Sequence, residues 1–212
     1  MEAELLLCNL GIKKRLFEIK DFNNFRKFKI YMLCDILKPI GKFSIEELEL
    51  IEKHLIKTKY RKNDILLKEG TICTKAWFII SGSIYQFKYD DIEENVLDLH
   101  CENDWLVDHT SFVTQKPSVT IIKAYTDCEV LEINIDSVHK LITQSHSFLQ
   151  LGKILNTAVS RLNYFDNSLT PREKYDFIMK SRPQLLQKFP LKIIASYLKI
   201  TRETLSRVRS LA

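Results

Sequence analysis

The spacing of apolar and polar positions divides the chain into segments of different texture. Residues 32–55 have a helical period. Ser44 with Glu47 forms an S-x-x-E capping box, and Ile45, Leu48, Ile51 and Leu55 follow at helical spacing. Between residues 58 and 136 the period shortens. Residues 75–88 are rich in β-branched and aromatic side chains around a Ser81-Gly82 turn. Residues 96–100, 119–124 and 129–133 read as further short strands, punctuated by Asn63-Asp64, Glu69-Gly70 and Asp90-Asp91. Many short strands broken by turn signals predict a small β-sandwich or jelly roll.

Residues 147–169 return to a helical period, with Phe148, Leu151, Leu155, Ala158, Leu162, Phe165 and Leu169 at a/d spacing. A helix resting on its own domain needs only a broad stripe of period 3.6, whereas a sustained period of 3.5 suits a coiled-coil partner. The pattern predicts a homodimer with those residues as its interface; an intramolecular helix is the alternative. Thr170-Pro-Arg-Glu173 then supplies an N-cap, a proline at the first helical position and a glutamate at the third, which makes Thr170 a hinge. Pro183 and Pro190 interrupt the helical run that follows.

The last twenty-odd residues read as two short helices around a tight turn. Ile194, Ala195 and Leu198 form one apolar stripe, Leu205 and Val208 another, and Thr201 is a good N-cap for the second helix. That helix presents Arg202, Glu203, Ser206, Arg207 and Arg209, the spacing with which a helix-turn-helix fills a major groove. Arg202 and Arg207 have the fork that pairs with the two acceptors of guanine, and Glu203 can accept from a cytosine amino group. The predicted fold class is α+β. It comprises a basic extension (1–31), a β-sandwich domain (32–146), a dimerisation helix (147–169) and a small helical helix-turn-helix domain (170–212).

Charge sharpens this picture. The chain carries a net +5. Yet from residue 182 onward Arg182, Lys188, Lys192, Lys199, Arg202, Arg207 and Arg209 face a single acid, Glu203. Such concentration points to a polyanion, double-stranded DNA, although a basic terminus can also be only a solvated end. Residues 11–29 form a second basic stretch, interleaved with Phe17, Phe22, Phe25 and Phe28. It reads as an arm for nucleic acid or a membrane surface, as a frayed, partly helical extension, or as translated upstream sequence ahead of a start at Met32.

Composition excludes several classes. Hydrophobic content of 45% and charged content of 28% are those of an ordinary globular chain. No run reaches the roughly 18 apolar residues of a membrane span. Residues 1–10 lack a basic start and a small-residue cleavage site, so a cytoplasmic protein without membrane contact is expected. Cys8, Cys34, Cys73, Cys101 and Cys128 contain no CxxC pair, and no Cys/His set has zinc or iron–sulfur spacing. His54, His100, His109, His139 and His146 are scattered. Inert free thiols, no metal and no cofactor are expected.

The order sandwich, long helix, helix-turn-helix resembles the Crp/Fnr family of bacterial transcription regulators over about residues 43–212. The residues that carry the resemblance are Tyr60 with Leu67-Lys-Glu-Gly70, Trp77-Phe-Ile-Ile-Ser-Gly-Ser83, the Ala124–Ile133 run, and above all Thr201-Arg-Glu-Thr-Leu-Ser-Arg207. That last motif is similar to the family's recognition-helix pattern, [ST]-R-E-T-[VL]-[SG]-R. The resemblance implies that Arg202, Glu203 and Arg207 read bases in a palindromic site. The runs at residues 112–118 and 194–198 look like the subgroup common in Bacteroidetes-type bacteria. In many members a β-hairpin wing follows the recognition helix, whereas this sequence ends at Ala212, so modest affinity per half-site is expected. Lys199 stands where the turn usually has glycine. A left-handed lysine costs roughly 1 kcal/mol, which a phosphate contact from Lys199 would offset.

Family members that bind cyclic AMP place a Gly-Glu pair at the start of a short helix and an arginine about ten residues later. A buried cyclic phosphate needs a helix N-terminus and a paired cation, and the glutamate accepts from the ribose hydroxyl. Here the collinear positions hold Val107-Asp108 and Ser118. Asp108 can accept from a sugar hydroxyl, but no cation meets the phosphate, so weak or no binding of cyclic AMP is expected. A pocket of Val107, Asp108, His109, Thr110, Ser111, Ser118 and Thr120, with Asn163 from the dimer helix, suits a small uncharged or cationic effector, or is purely structural.

Three function classes follow. The leading one is a homodimeric, sequence-specific DNA-binding regulator. The alternative is a small-molecule sensor acting through protein contacts, with the C-terminal helices as a docking module. Enzymatic activity is not expected. Asp108, His109 and Ser111 lie on one short helical turn and cannot converge as a catalytic triad does.

Overall fold

The computed structural model describes residues 22–156 and 169–210. In chain order its elements are α1 (Phe22–Leu37), α2 (Ile45–His54), β1 (Ile56–Tyr60), β2 (Ile65–Leu67), β3 (Lys75–Ser81), β4 (Ile84–Asp90), β5 (Glu93–His100), β6 (Trp105–Leu106), α3 (His109–Thr114), β7 (Ile121–Ala124), β8 (Cys128–Asn134), α4 (Ile135–Gln144), a 3-10 turn (His146–Gly152), α5 (Pro171–Ser181), α6 (Gln184–Lys188), α7 (Leu191–Tyr197) and α8 (Arg202–Ser210). They form two compact units, one of residues up to 55 with 136–153, the other of 56–135 with the residues from 154 onward.

The first unit is helical. The expected helical period over residues 32–55 resolves into α1 and α2, and α1 begins at Phe22, so it runs through the boundary drawn at residue 31. Ser44 and Glu47 form the anticipated reciprocal cap: Glu47 N donates to the Ser44 hydroxyl, and Ser44 N donates to the Glu47 carboxylate at 2.8 Å. Leu48 and Ile51 of α2 are buried. The Gln150 side chain donates to Lys42 O and accepts from Lys42 N. At Gly41 an added Cβ would lie 2.3 Å from Gln150 Oε1, so only glycine permits this approach.

The expected dimer helix is corrected at its start. His146–Gly152 is a 3-10 turn capped by Ser145, not the first heptad of a continuous α-helix. A 3-10 turn eclipses positions i and i+3, so Phe148 and Leu151 point to one side, and both are buried. Phe148 stacks on Phe43 with ring centroids 6.0 Å apart. These two residues, expected at a dimer interface, are thus packed inside the first unit. Leu155 and Leu169 are half-buried. Ala158, Leu162 and Phe165 lie outside the described residues.

The second unit holds two four-stranded antiparallel sheets, ordered β1-β8-β3-β6 and β2-β7-β4-β5. This is the anticipated sandwich. The Ser81-Gly82 turn joins β3 to β4, with Gly82 at φ +94° and its absent Cβ position 2.4 Å from Asp127 O. Within the first sheet, buried Glu132 accepts from Tyr60 Oη at 2.6 Å, Lys75 Nζ at 2.6 Å and Trp77 Nε1 at 3.3 Å. Desolvation alone would raise the Glu132 pKa. The donors from Lys75, Tyr60 and Trp77 outweigh it and hold the carboxyl below its ordinary range.

The second sheet is buttressed by the C-terminal helices. Tyr85, Phe87, Val96, Leu99 and Cys101 share one apolar core with Tyr175, Ile178, Leu185, Phe189, Ile194, Tyr197, Leu198 and Leu205. Thr170 and Glu173 make the expected capping box at the head of α5, with Pro171 at its first position. Each buried aliphatic side chain contributes roughly 1.5–3 kcal/mol relative to exposure. The helical module is thereby anchored to the sheet as firmly as one domain core.

Candidate functional site

The helix-turn-helix forms through local bonds legible in its sequence. At the end of α7, Lys199 N donates to Ser196 O and Ile200 N to Ala195 O, both at 3.1 Å. These are the two bonds of a Schellman motif, with Lys199 in the left-handed position at φ 56°. Thr201 caps α8: its hydroxyl accepts from Thr204 N at 3.2 Å. Leu205 is fully buried against the module's core, which fixes the rotation of α8 about its axis. Arg202, Glu203, Ser206, Arg207 and Arg209 are all exposed, and the first four line one shallow concavity.

Lys199, expected to contact a phosphate, has partners within the folded chain. Its ammonium donates to Val96 O and to Asn95 Oδ1, each at 2.6 Å, on the free side of β5. Burial, with Lys88 and Lys174 nearby, lowers its pKa. The strain of a left-handed lysine is thus offset inside the protein.

The residues expected to line an effector pocket bond to one another. Asp108 caps α3, Oδ1 accepting from Ser111 N at 3.0 Å. Its Oδ2 accepts from Ser118 Oγ at 2.5 Å and from Thr120 Oγ1 at 2.9 Å, and Gln86 Nε2 donates onward to Thr120 Oγ1 at 2.8 Å. Ser111 Oγ accepts from Cys73 N and donates to Lys116 O. Val107, Asp108, Ser111, Ser118 and Thr120 are buried, His109 is half-buried and Thr110 exposed. Asp108, expected to be able to accept from a sugar hydroxyl, here accepts from Ser111 N, Ser118 Oγ and Thr120 Oγ1. Asn163 lies outside the described residues.

Gln86 was missed in the sequence, although a polar residue between Tyr85 and Phe87 in a buried strand was the available signal. Asp98 and His100, also buried, were not singled out for the pocket; His100 Nε2 lies 3.4 Å from Asp98 Oδ2. Among the described residues no group of His, Cys, Asp and Glu could hold a metal ion, and no helix is long and apolar enough to cross a membrane.

A family profile for the cyclic nucleotide-binding domain matches residues 57–145. That stretch is similar to the cyclic nucleotide-binding domain. FixK2 from Bradyrhizobium japonicum superimposes with a TM-score of 0.60 at 15% identity, covering 74% of this chain and 83% of its own. The c-di-GMP responsive global regulator CLP of Xanthomonas campestris gives 0.54 at 18% identity, covering 79% and 91%. The Thermus thermophilus catabolite activator protein gives 0.52 at 17% identity, covering 82% and 85%. No curated protein matches the chain in sequence. The fold is that of the Crp/Fnr-type regulators.

Proposed function

We propose that this protein is a sequence-specific DNA-binding transcription regulator, acting as a homodimer on a palindromic site. The observation that carries the proposal is the stance of α8. Leu205 is buried in the core while Arg202, Glu203, Ser206, Arg207 and Arg209 stand exposed around it. Arg202 and Arg207 are suited to guanine, Glu203 to cytosine, and Ser206 and Arg209 to either base edges or phosphates. Thr201 orients the helix by capping it. A two-fold protein reads half-sites about one helical turn apart.

The sensor domain is not a cyclic AMP receptor in this proposal. A cyclic phosphate entering beside Asp108 would meet a carboxylate that already holds Ser118 and Thr120, and no cation among the hydrogen-bonded set. The effector, where one acts, is a small uncharged or cationic molecule.

Selection from random DNA fragments with purified protein, at two salt concentrations, tests the reading. The Arg202→Ala/Arg207→Ala double variant is the control. A palindrome recovered by the parent and lost by the control is expected. Binding blind to sequence in both proteins would overturn base reading. A shallow salt slope would instead favour protein docking by the C-terminal helices.

A further inference from the structure

In the sheet order β2-β7-β4-β5, strand β5 is an edge, and a sheet edge carries unpaired backbone groups. Its pairing with β4 shifts between Gln86↔Asp98 and Phe87↔Val96, leaving Leu97 as an extra residue that turns the strand. On the outer side of this edge the groups are taken by the helix-turn-helix. Val96 N donates to Ser196 Oγ at 2.9 Å, Ser196 Oγ donates to Glu94 O at 3.3 Å, and Val96 O accepts from Lys199 Nζ at 2.6 Å. Two side chains of the turn thus satisfy a strand edge as a further strand would.

Charge pairs fasten the same edge and the loop after it. Arg182, the C-cap of α5, donates through one guanidinium nitrogen to Asp104 at 2.5 Å, and its other terminal nitrogen lies 3.8 Å from buried Asp98 on β5. Lys188 of α6 donates to Glu102, which also accepts from Gly82 N at the turn between β3 and β4. Arg182 is nearly buried and pairs with two carboxylates, the setting in which an ion pair resists solvent screening.

We propose that strand β5 is the seat of the DNA-reading module, with Ser196, Lys199 and Arg182 as positioning residues. They hold α8 in its exposed stance without any effector, and Lys199 is not a phosphate contact. The proposal rests on the DNA-binding reading for its consequence, but the seat itself is a property of the folded chain.

Amide hydrogen exchange at Val96 in the full chain tests the seat without DNA. Ser196→Ala removes the acceptor of the Val96 amide, and Lys199→Gly keeps the left-handed turn while removing the ammonium. Each is expected to speed Val96 exchange about tenfold or more, with amides of β3 and β8 unchanged as evidence of an intact fold. Unchanged Val96 exchange in both variants would overturn the seat. The second arm measures affinity for the selected DNA against salt. Lys199→Gly is expected to keep the parent's salt slope, whereas a slope smaller by about one would return Lys199 to the phosphate role. The third adds cyclic AMP to the parent: unchanged affinity is expected, and a gain of tenfold or more would overturn effector independence. Failure of the parent to select any sequence, with the exchange result intact, would instead sink the DNA reading alone.

Discussion

Ser118 Oγ donates to Asp108 Oδ2 at 2.5 Å, ten residues along the chain, and so occupies with a hydroxyl the place where the resemblance calls for a cation. The carboxylate is held by a helix N-terminus and two hydroxyls. It needs no ligand to be satisfied.

Ser118→Ala should therefore destabilise the fold. Asp108 loses its shortest donor, and Thr120 N loses the Ser118 hydroxyl it now reaches at 3.0 Å. Leaving buried polar groups unsatisfied costs about 1–3 kcal/mol. Denaturant unfolding of parent and variant measures the loss, and equal midpoints would show that the network carries no stability. Cyclic AMP in large excess over a micromolar constant should leave the parent's midpoint unmoved, because only a ligand that binds the folded state raises it.

Arg207→Ala should cost roughly 1–3 kcal/mol on the selected palindrome and relax base choice at one position, with little change on random DNA. Competition binding with single-position substitutions of the site reads this directly. Equal weakening on specific and random DNA would assign Arg207 to the backbone.

Glu132 supplies a pH dependence. Its folded pKa lies below the ordinary glutamate range, because the donors from Lys75, Tyr60 and Trp77 prevail over the opposing desolvation. A carboxyl depressed on folding contributes stability above its unfolded pKa, near 4.3, that is lost as pH falls through the lower folded value. Glu132→Gln should flatten that acid limb and lower stability at neutral pH. Unfolding free energies from pH 3 to 7 for both proteins check it, and parallel curves would refute the assignment.

Gly82→Ala should destabilise by more than about 1 kcal/mol, since alanine would sit at φ +94° with its Cβ against Asp127 O. A midpoint within error of the parent would show that the β3–β4 turn relaxes freely.

What the sequence determined by itself were the features closed within a few residues. The boxes Ser44–Glu47 and Thr170–Glu173, the Thr201 cap and the left-handed Lys199 all depend on backbone groups three to five positions away, which residue type and spacing dictate. Strands also form where β-branched and aromatic residues cluster between turn signals, although burial along them is continuous rather than alternating. The sequence could not say where long side chains end. Lys199 Nζ meets Val96 O across 103 positions, and Arg182 meets Asp104 across 78, choices made only when the helices come down on the edge of the sheet. Nor could three heptads of apolar spacing separate a dimer seam from a protomer's own core, since periods of 3.5 and 3.6 diverge by only about 20° per heptad. The stacking of Phe148 on Phe43 and the closing of Gln86, Ser118 and Thr120 around Asp108 were equally beyond its reach. Both are packing outcomes, set by which surfaces meet.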